Sequence, residues 1–225
     1  MDDGTAVRPA RAGLVDEVPV PCAYDVTAVV PVKALDAAKT RLALPAHERR
    51  ALALAFAVDT IAALAAAPGV SGVLVVTSDP EVTCRLRSRP VRLAPDEGAG
   101  LGPAVRRGLR IAQAWHPTAG VVVVPADLPC LRPEDVTRVL EQARATHGAF
   151  VPDRATTGTT LVVHPPGRPA VAHYGPDSAQ RHRALGLQPL TDAPIRARYD
   201  VDTLADLRDA TLLGLGAESA AATSL

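Results

Sequence analysis

Apolar residues are laid along this chain in two alternating patterns. Short runs rich in β-branched residues occur at Val26–Val32, Gly72–Thr77, Gly120–Val124, Ala149–Pro152 and Thr159–Val163, each bounded by Gly, Pro or Asp, and they predict strands. Stretches with helical spacing lie between them. The clearest is Ala46–Ala66, where Leu52, Leu54, Phe56, Val58, Ile61 and Leu64 line up, with Glu48, Arg49 and Arg50 near the start. Pro103–Trp115, Pro133–Ala145 and Thr203–Leu213 are the others. Such β-α-β alternation predicts an α/β fold, a single-domain three-layer α/β/α arrangement around a mostly parallel sheet joined by right-handed crossovers. The pattern spans residues 25–214. Residues 1–24 and 215–225 are small and polar, and are expected to be flexible, dispensable tails.

One run carries more than fold information. In VVVVPADLPCL, Val121 to Leu131, four consecutive valines lead into a carboxylate, Asp127, between Pro125 and Pro129. A strand so apolar is expected to be covered on both faces, which leaves its polar tip as the exposed part. Ligands of open α/β sheets sit beyond the carboxyl ends of the strands. Asp127 therefore fits two roles: holding a hydrated cation beside a phosphate, or turning the chain and capping the helix that starts near Pro133. The segment alone does not choose between them.

Composition removes several classes of function. Of the 225 residues, 48% are hydrophobic, enough for a substantial core. Twenty-four basic residues balance 24 acidic ones, so no global field gathers nucleic acid or anionic lipid. Cys22, Cys84 and Cys130 are far apart and lack metal-ligand spacing, which argues against structural zinc and a disulfide framework. With no apolar core of signal-peptide length and no membrane-length apolar stretch, a cytoplasmic protein without membrane partners is expected.

The candidate chemistry lies at strand ends and in loops. The first predicted strand runs into PVKALDAAKTRL, residues 31–42, which contains neither a Walker-type phosphate loop nor a dinucleotide fingerprint. Lys33, Lys39 and Arg41 cluster there instead, at a place suited to neutralising nucleotide phosphates, or simply forming a solvated basic loop. A second acidic element, YDVDTLADL, puts Asp200 and Asp202 ahead of a helix that Thr203 and Asp206 would open as a capping box. Placed on a short strand end, those carboxylates would meet Asp127 around Mg²⁺ and bridged phosphates. Two loops break the alternation: Arg154 with TTGTT at 156–160, and YGPDSAQRHR at 174–183. Their glycines permit close backbone approach, Thr159 and Ser178 offer hydroxyls, Ser178 is a candidate helix cap, and Arg181, His182 and Arg183 add positive charge. The glycine loop DEGAGLG, 96–102, precedes a helix bearing Arg106, Arg107 and Arg110, and suits either base contact or a plain turn.

Five of these motifs, PVKALDAAKTRL, PADLPCL, TTGTT, YGPDS and DVDTLADL, occur in an order and spacing that resembles the phosphoenolpyruvate/2-phospho-L-lactate guanylyltransferase family of coenzyme F-420 biosynthesis, over about residues 26–213. The resemblance implies a nucleotide-diphospho-sugar transferase fold. It also implies transfer of GMP from GTP to a small phosphorylated three-carbon acid, with Mg²⁺ as cofactor and pyrophosphate as by-product. On matching positions, Asp127 and Asp200 would hold the metal, Thr159, Gly175 and Ser178 would bind the acceptor, and Lys33, Lys39 and Arg41 would face the GTP phosphates. Phosphoenolpyruvate is the expected acceptor, with 2-phospho-L-lactate and 3-phosphoglycerate as alternatives; the rival readings are another nucleotidyltransferase of the same fold and a catalytically silent binding partner. A lactyl-phosphate-transferring enzyme would take the product. The family often has Asn after the Leu of the glycine loop; this chain has Gly102 after Leu101.

Overall fold

The computed structural model describes residues 24–98 and 100–223. Seven strands form one sheet: β1 (Val26–Pro31), β2 (Val70–Val76), β3 (Arg92–Ala94), β4 (Gly120–Val123), β5 (Ala149–Pro152), β6 (Thr159–His164) and β7 (Gln188–Pro189). Their spatial order is β3-β2-β1-β4-β6-β5-β7. All pairings are parallel except those of β6, which runs antiparallel to both β4 and β5. The short loop 153–158 explains this reversal, because a hairpin connection is too short to carry the chain back for a parallel strand. Asp153 shapes that hairpin by accepting the Thr157 N–H at 3.1 Å.

Side chains alternate between the two faces of the sheet, and each face has its own helical cover. Val26, Ala28, Val30, Val73 and Val75 point into one core with α1 (Ala46–Ala66), α2 (Pro80–Leu86) and α4 (Pro133–Arg144). Val29, Leu74, Val76, Val121 and Val123 point to the other, against α3 (Leu101–Trp115) and Ala179 of α5 (Ser178–Ala184). At Gly108, α3 comes so close to β1 that an added Cβ would lie 2.4 Å from a methyl of Val29. The expected strands and helices thus pack as a three-layer α/β/α sandwich, with a mostly parallel sheet. Among the described residues, no helix is long and apolar enough to cross a membrane.

The C-terminal segment differs from expectation. After α6 (Leu204–Leu213), residues 217–223 form α7 (Ala217–Thr223) instead of a flexible tail. The reason is buried polar chemistry that composition conceals. The Asp59 carboxylate of α1 accepts from the backbone N–H groups of Glu218 (3.2 Å) and Ser219 (2.8 Å) and from the Ser219 hydroxyl (2.5 Å). It serves as a cap donated from another helix, and it pins α7 to α1. Of the expected N-terminal tail, 1–24, only Tyr24 is among the described residues, and it is buried.

Candidate functional site

The sheet order itself selects a place for ligands. From β1 the chain steps outward to β2 and β3, then returns to lay β4 on the other side of β1. The carboxyl ends of β1 and β4 therefore flank a topological switch point, where the connecting loops diverge and leave a crevice. A cleft of about 240 Å³ opens there, lined among others by Lys33, Lys39, Leu101, Asp127 and Asp202. Reversal of β6 brings its first residue, Thr159, to the same edge of the sheet.

Backbone strain concentrates around this edge. Among the described residues, the non-glycine residues with positive φ are Lys39 (52°), Ala43 (54°), Thr156 (63°) and Asp177 (55°). All four stand in the β1–α1, β5–β6 and β6–α5 loops, where the fold holds unfavourable conformers in place. The β1–α1 loop is braced from outside the cleft. Buried Asp79 caps α2 and also accepts the Leu35 N–H at 2.9 Å. Arg50 of α1 bonds Asp36 at 2.6 Å and Glu81 at 2.8 Å.

That bracing delivers Lys39 into the cleft as a buried cation. Its Nζ lies 2.9 Å from Asp127 Oδ2 and 3.0 Å from Asp202 Oδ1, and its side chain is only 9% exposed. Burial disfavours the charged ammonium, but the attraction of Asp127 and Asp202 outweighs it and raises the Lys39 pKa. Arg41 reaches Asp202 at 2.6 Å from a solvent-exposed position, and Lys33 is exposed on the cleft wall. The three cations expected to form one phosphate cluster are therefore not equivalent. Lys39 is paired inside, Arg41 is paired at the rim, and Lys33 lines the wall.

Asp200 completes the acidic half. Burial, then the nearby charges of Asp127 and Asp202, push its carboxyl up to about 7. Asp200 and Asp202 do not occupy a strand end, as expected, but an extended stretch tied to the segment after β4 by Val201 N–H donating to the Asp127 carbonyl at 3.1 Å. The side chain of Val201 is fully buried and locks the stretch down. The expected capping box is present: Thr203 Oγ1 accepts from Asp206 N–H at 3.2 Å, while Asp206 accepts from Thr203 N–H at 2.8 Å. Burial opposes the Asp206 charge, yet hydrogen bonds from Thr203 and Asp202 hold its pKa below the usual value. Among the described residues, no group of three or more His, Cys, Asp or Glu side chains is placed to hold a metal ion, and Lys39 Nζ stands between Asp127 and Asp202.

The loop pair stands at the same edge of the sheet, beside the residues that line the cleft. Ala179 N–H donates to the Thr157 carbonyl at 3.1 Å, joining the TTGTT turn to α5. Gly175 sits at φ 106°, and Asp177, not Ser178, occupies the N-cap position of α5, without a side-chain cap bond. Ser178 is buried in the first turn, and Tyr174 is anchored by its hydroxyl to the Val123 carbonyl at 2.9 Å. Burial, followed by the charge of Asp127, raises the Tyr174 pKa well above its ordinary value, so it stays a neutral donor. His182 is one of the positive charges expected here. Instead it is fully buried, and burial, then His173, His164 and Arg181, lower its pKa to about 4. Leu101 lines the cleft, while Gly102 lies in the first turn of α3.

Comparison with known proteins bears on the family and the fold. Residues 39–192 match the MobA-like NTP transferase domain. A Streptomyces avermitilis protein named phosphoenolpyruvate guanylyltransferase is 46% identical over 202 residues, covering 88% of this chain and 94% of that protein. One of the same name from Streptomyces coelicolor is 45% identical over 87% of this chain and 94% of its own length. Among solved structures, a putative nucleotide-diphospho-sugar transferase from Desulfovibrio desulfuricans aligns with TM-score 0.57 at 17% identity, over 84% of this chain and 96% of that one. A 4-diphosphocytidyl-2C-methyl-D-erythritol synthase aligns with TM-score 0.57 over 84% of this chain and 99% of its own. These structural likenesses carry the fold.

Proposed function

The chain belongs to the MobA-like NTP transferase family and, within it, to the phosphoenolpyruvate guanylyltransferases, and from that premise we propose how its cleft transfers GMP from GTP to phosphoenolpyruvate. The observation that carries the reading is Lys39, a buried cation shared between Asp127 and Asp202 at the switch point, with Asp200 beside them and Thr159 at the same edge of the sheet.

The acceptor brings its own nucleophile. A phosphate monoester loses its second proton near pH ~6, so at neutral pH an acceptor oxygen attacks the α-phosphorus of GTP without a protein base. One P–O bond forms, and the bond between the α-phosphorus and the oxygen bridging to the β-phosphate breaks. Pyrophosphate departs with that electron pair, leaving enolpyruvyl-diphospho-guanosine. The protein's task is to hold two polyanions in line and offset their repulsion. Lys33, Lys39 and Arg41 face the triphosphate, and Lys39 offsets charge on the departing pyrophosphate. Thr159, Gly175 and Ser178 hold the acceptor at the neighbouring edge of the sheet.

The acidic set fits a divalent cation. Asp200 beside Asp127 is a carboxylate held in an environment that disfavours its charge, which an added cation relieves. Mg²⁺ takes one or two carboxylates and completes its shell with water and substrate phosphate, so a cluster of three protein ligands is not required. Asp127 and Asp200 would hold it. The ion would neutralise phosphate charge in the ground and transition states. The product would pass to a lactyl-phosphate-type transferase in coenzyme F-420 biosynthesis.

The test is pyrophosphate release from GTP and Mg²⁺ with phosphoenolpyruvate, 2-phospho-L-lactate or 3-phosphoglycerate, each supplied alone. Turnover is expected with phosphoenolpyruvate foremost and none with folded Asp127→Ala. Equal turnover with all three acids overturns the acceptor assignment, and undiminished release by folded Asp127→Ala overturns the metal-site assignment.

A further inference from the structure

His182 was expected to supply charge, and the structure gives it a different task. Its ring is fully buried, packed beside Phe150 at 5.4 Å between centroids and edge-on to Tyr174 at 6.3 Å. Both nitrogens are occupied. The backbone N–H of His173 donates to Nε2 at 3.0 Å, and Nδ1 lies 2.9 Å from Thr159 Oγ1. A nitrogen that accepts an N–H carries no proton, so Nε2 is bare and the imidazole is neutral. Its single proton is then on Nδ1, and the bond to Thr159 runs from His182 Nδ1–H to the hydroxyl oxygen.

Proton accounting extends one atom further. With Oγ1 accepting from His182, the Thr159 hydroxyl proton needs another oxygen, and among the described residues no hydrogen bond donated by Thr159 Oγ1 is found. Thr159 lies at the edge where the acceptor binds in the reading above. We infer that His182 is a positioning residue: by donating from Nδ1 it fixes Thr159 as a hydrogen-bond donor, aimed at an anionic oxygen of the acceptor. This deepens, and rests on, the assignment of Thr159 to the acceptor site. An anion is served only by donors, and an unfixed hydroxyl would be free to turn its lone pairs toward the substrate.

A merely structural role for His182 makes a different demand. His173 N–H ties the 165–173 loop to the ring, so a residue kept only for that tie needs an acceptor at the Nε2 position. Two amides separate the roles. Asn places an N–H where Nδ1–H stood but does not reach His173, whereas Gln reaches the Nε2 position and leaves Thr159 without its donor. Steady-state KM is measured for phosphoenolpyruvate and GTP in His182→Asn, His182→Gln, Thr159→Val, Thr159→Ser and the Thr159→Val/His182→Gln double variant, each shown to melt cooperatively.

The expected result is an acceptor KM raised about tenfold in His182→Gln and Thr159→Val, the loss of roughly one hydrogen bond to a charged group. His182→Asn and Thr159→Ser stay within about threefold, KM for GTP is unmoved, and the double variant is no worse than Thr159→Val alone. Rescue by Gln with loss in Asn overturns the inference and leaves a loop anchor. An unchanged acceptor KM in folded Thr159→Val overturns the acceptor assignment itself. If the His182 variants do not fold, the Thr159 pair decides: a Thr159→Ser defect as large as that of Thr159→Val overturns the inference, because the hydroxyl His182 orients would then be irrelevant.

Discussion

Replacing Lys39 with Met removes one charge and little volume from the centre of the cleft. At 2.9 and 3.0 Å, each carboxylate contact is worth roughly 5–6 kcal/mol of bare attraction at an effective dielectric near 20. Most of that is not lost stability. The Asp127 and Asp202 side chains are 26% and 31% exposed and regain water, and the burial penalty on the ammonium disappears. A net cost of about 1–3 kcal/mol remains, which for a chain of this size lowers Tm by roughly 2–10 °C. Catalysis suffers more. In the proposed mechanism Lys39 faces the leaving pyrophosphate, and loss of such a preorganised cation is expected to cost about 3–4 kcal/mol, or 10²–10³ in kcat.

A third readout identifies the cause. If Asp127 holds the divalent ion as proposed, Lys39 competes with it, and Lys39→Met should bind Mg²⁺ at least as tightly as the parent in a titration without nucleotide. The assay is pyrophosphate release at saturating GTP and phosphoenolpyruvate, beside a thermal melt and the Mg²⁺ titration. A folded Lys39→Met protein within tenfold of parental kcat would refute the role given to this cation. Weaker Mg²⁺ binding would refute the competition.

Two further predictions lie away from the reacting groups. Asp59→Ala leaves the buried N–H of Ser219 without its acceptor and unseats α7, a loss of about 2–4 kcal/mol that lowers Tm by roughly 4–15 °C while both KM values stay within twofold; an unchanged Tm would remove α7 from the cooperative fold. His182 sets a pH dependence: its folded pKa of about 4 is below the ordinary 6.5, so its contribution is complete above pH 6.5 and lost as pH falls toward 4. Melts between pH 4.5 and 7.5 should show the parent losing more Tm on acidification than His182→Asn, and parallel curves would contradict the buried, neutral ring.

The hydrophobic pattern alone was sufficient for the layered α/β fold. Four valines followed by Asp127 mark a central strand and its tip, because a strand covered on both faces leaves only its ends to carry polar groups. Thr203 and Asp206 were legible for a similar reason, since a capping box is a contact three residues long. The resemblance to known guanylyltransferases supplied the reaction, which spacing by itself left open.

Only the tertiary structure decided what required distant partners. The pairing of Lys39 with Asp127 and Asp202 spans 88 and 163 residues, and local sequence shows the charges without the distances between them. The Ala-rich stretch of α7 reads as tail in the sequence because its anchor, Asp59, lies 160 residues before Ser219. His182 carried the same difficulty in reverse. Beside Arg181 and Arg183 it suggested positive charge, and burial against Phe150, with a backbone N–H on one nitrogen and Thr159 on the other, makes it neutral. Periodicity records which residues turn inward, but the protonation and partners of a polar group depend on the dielectric and neighbours it meets after the chain has closed on itself.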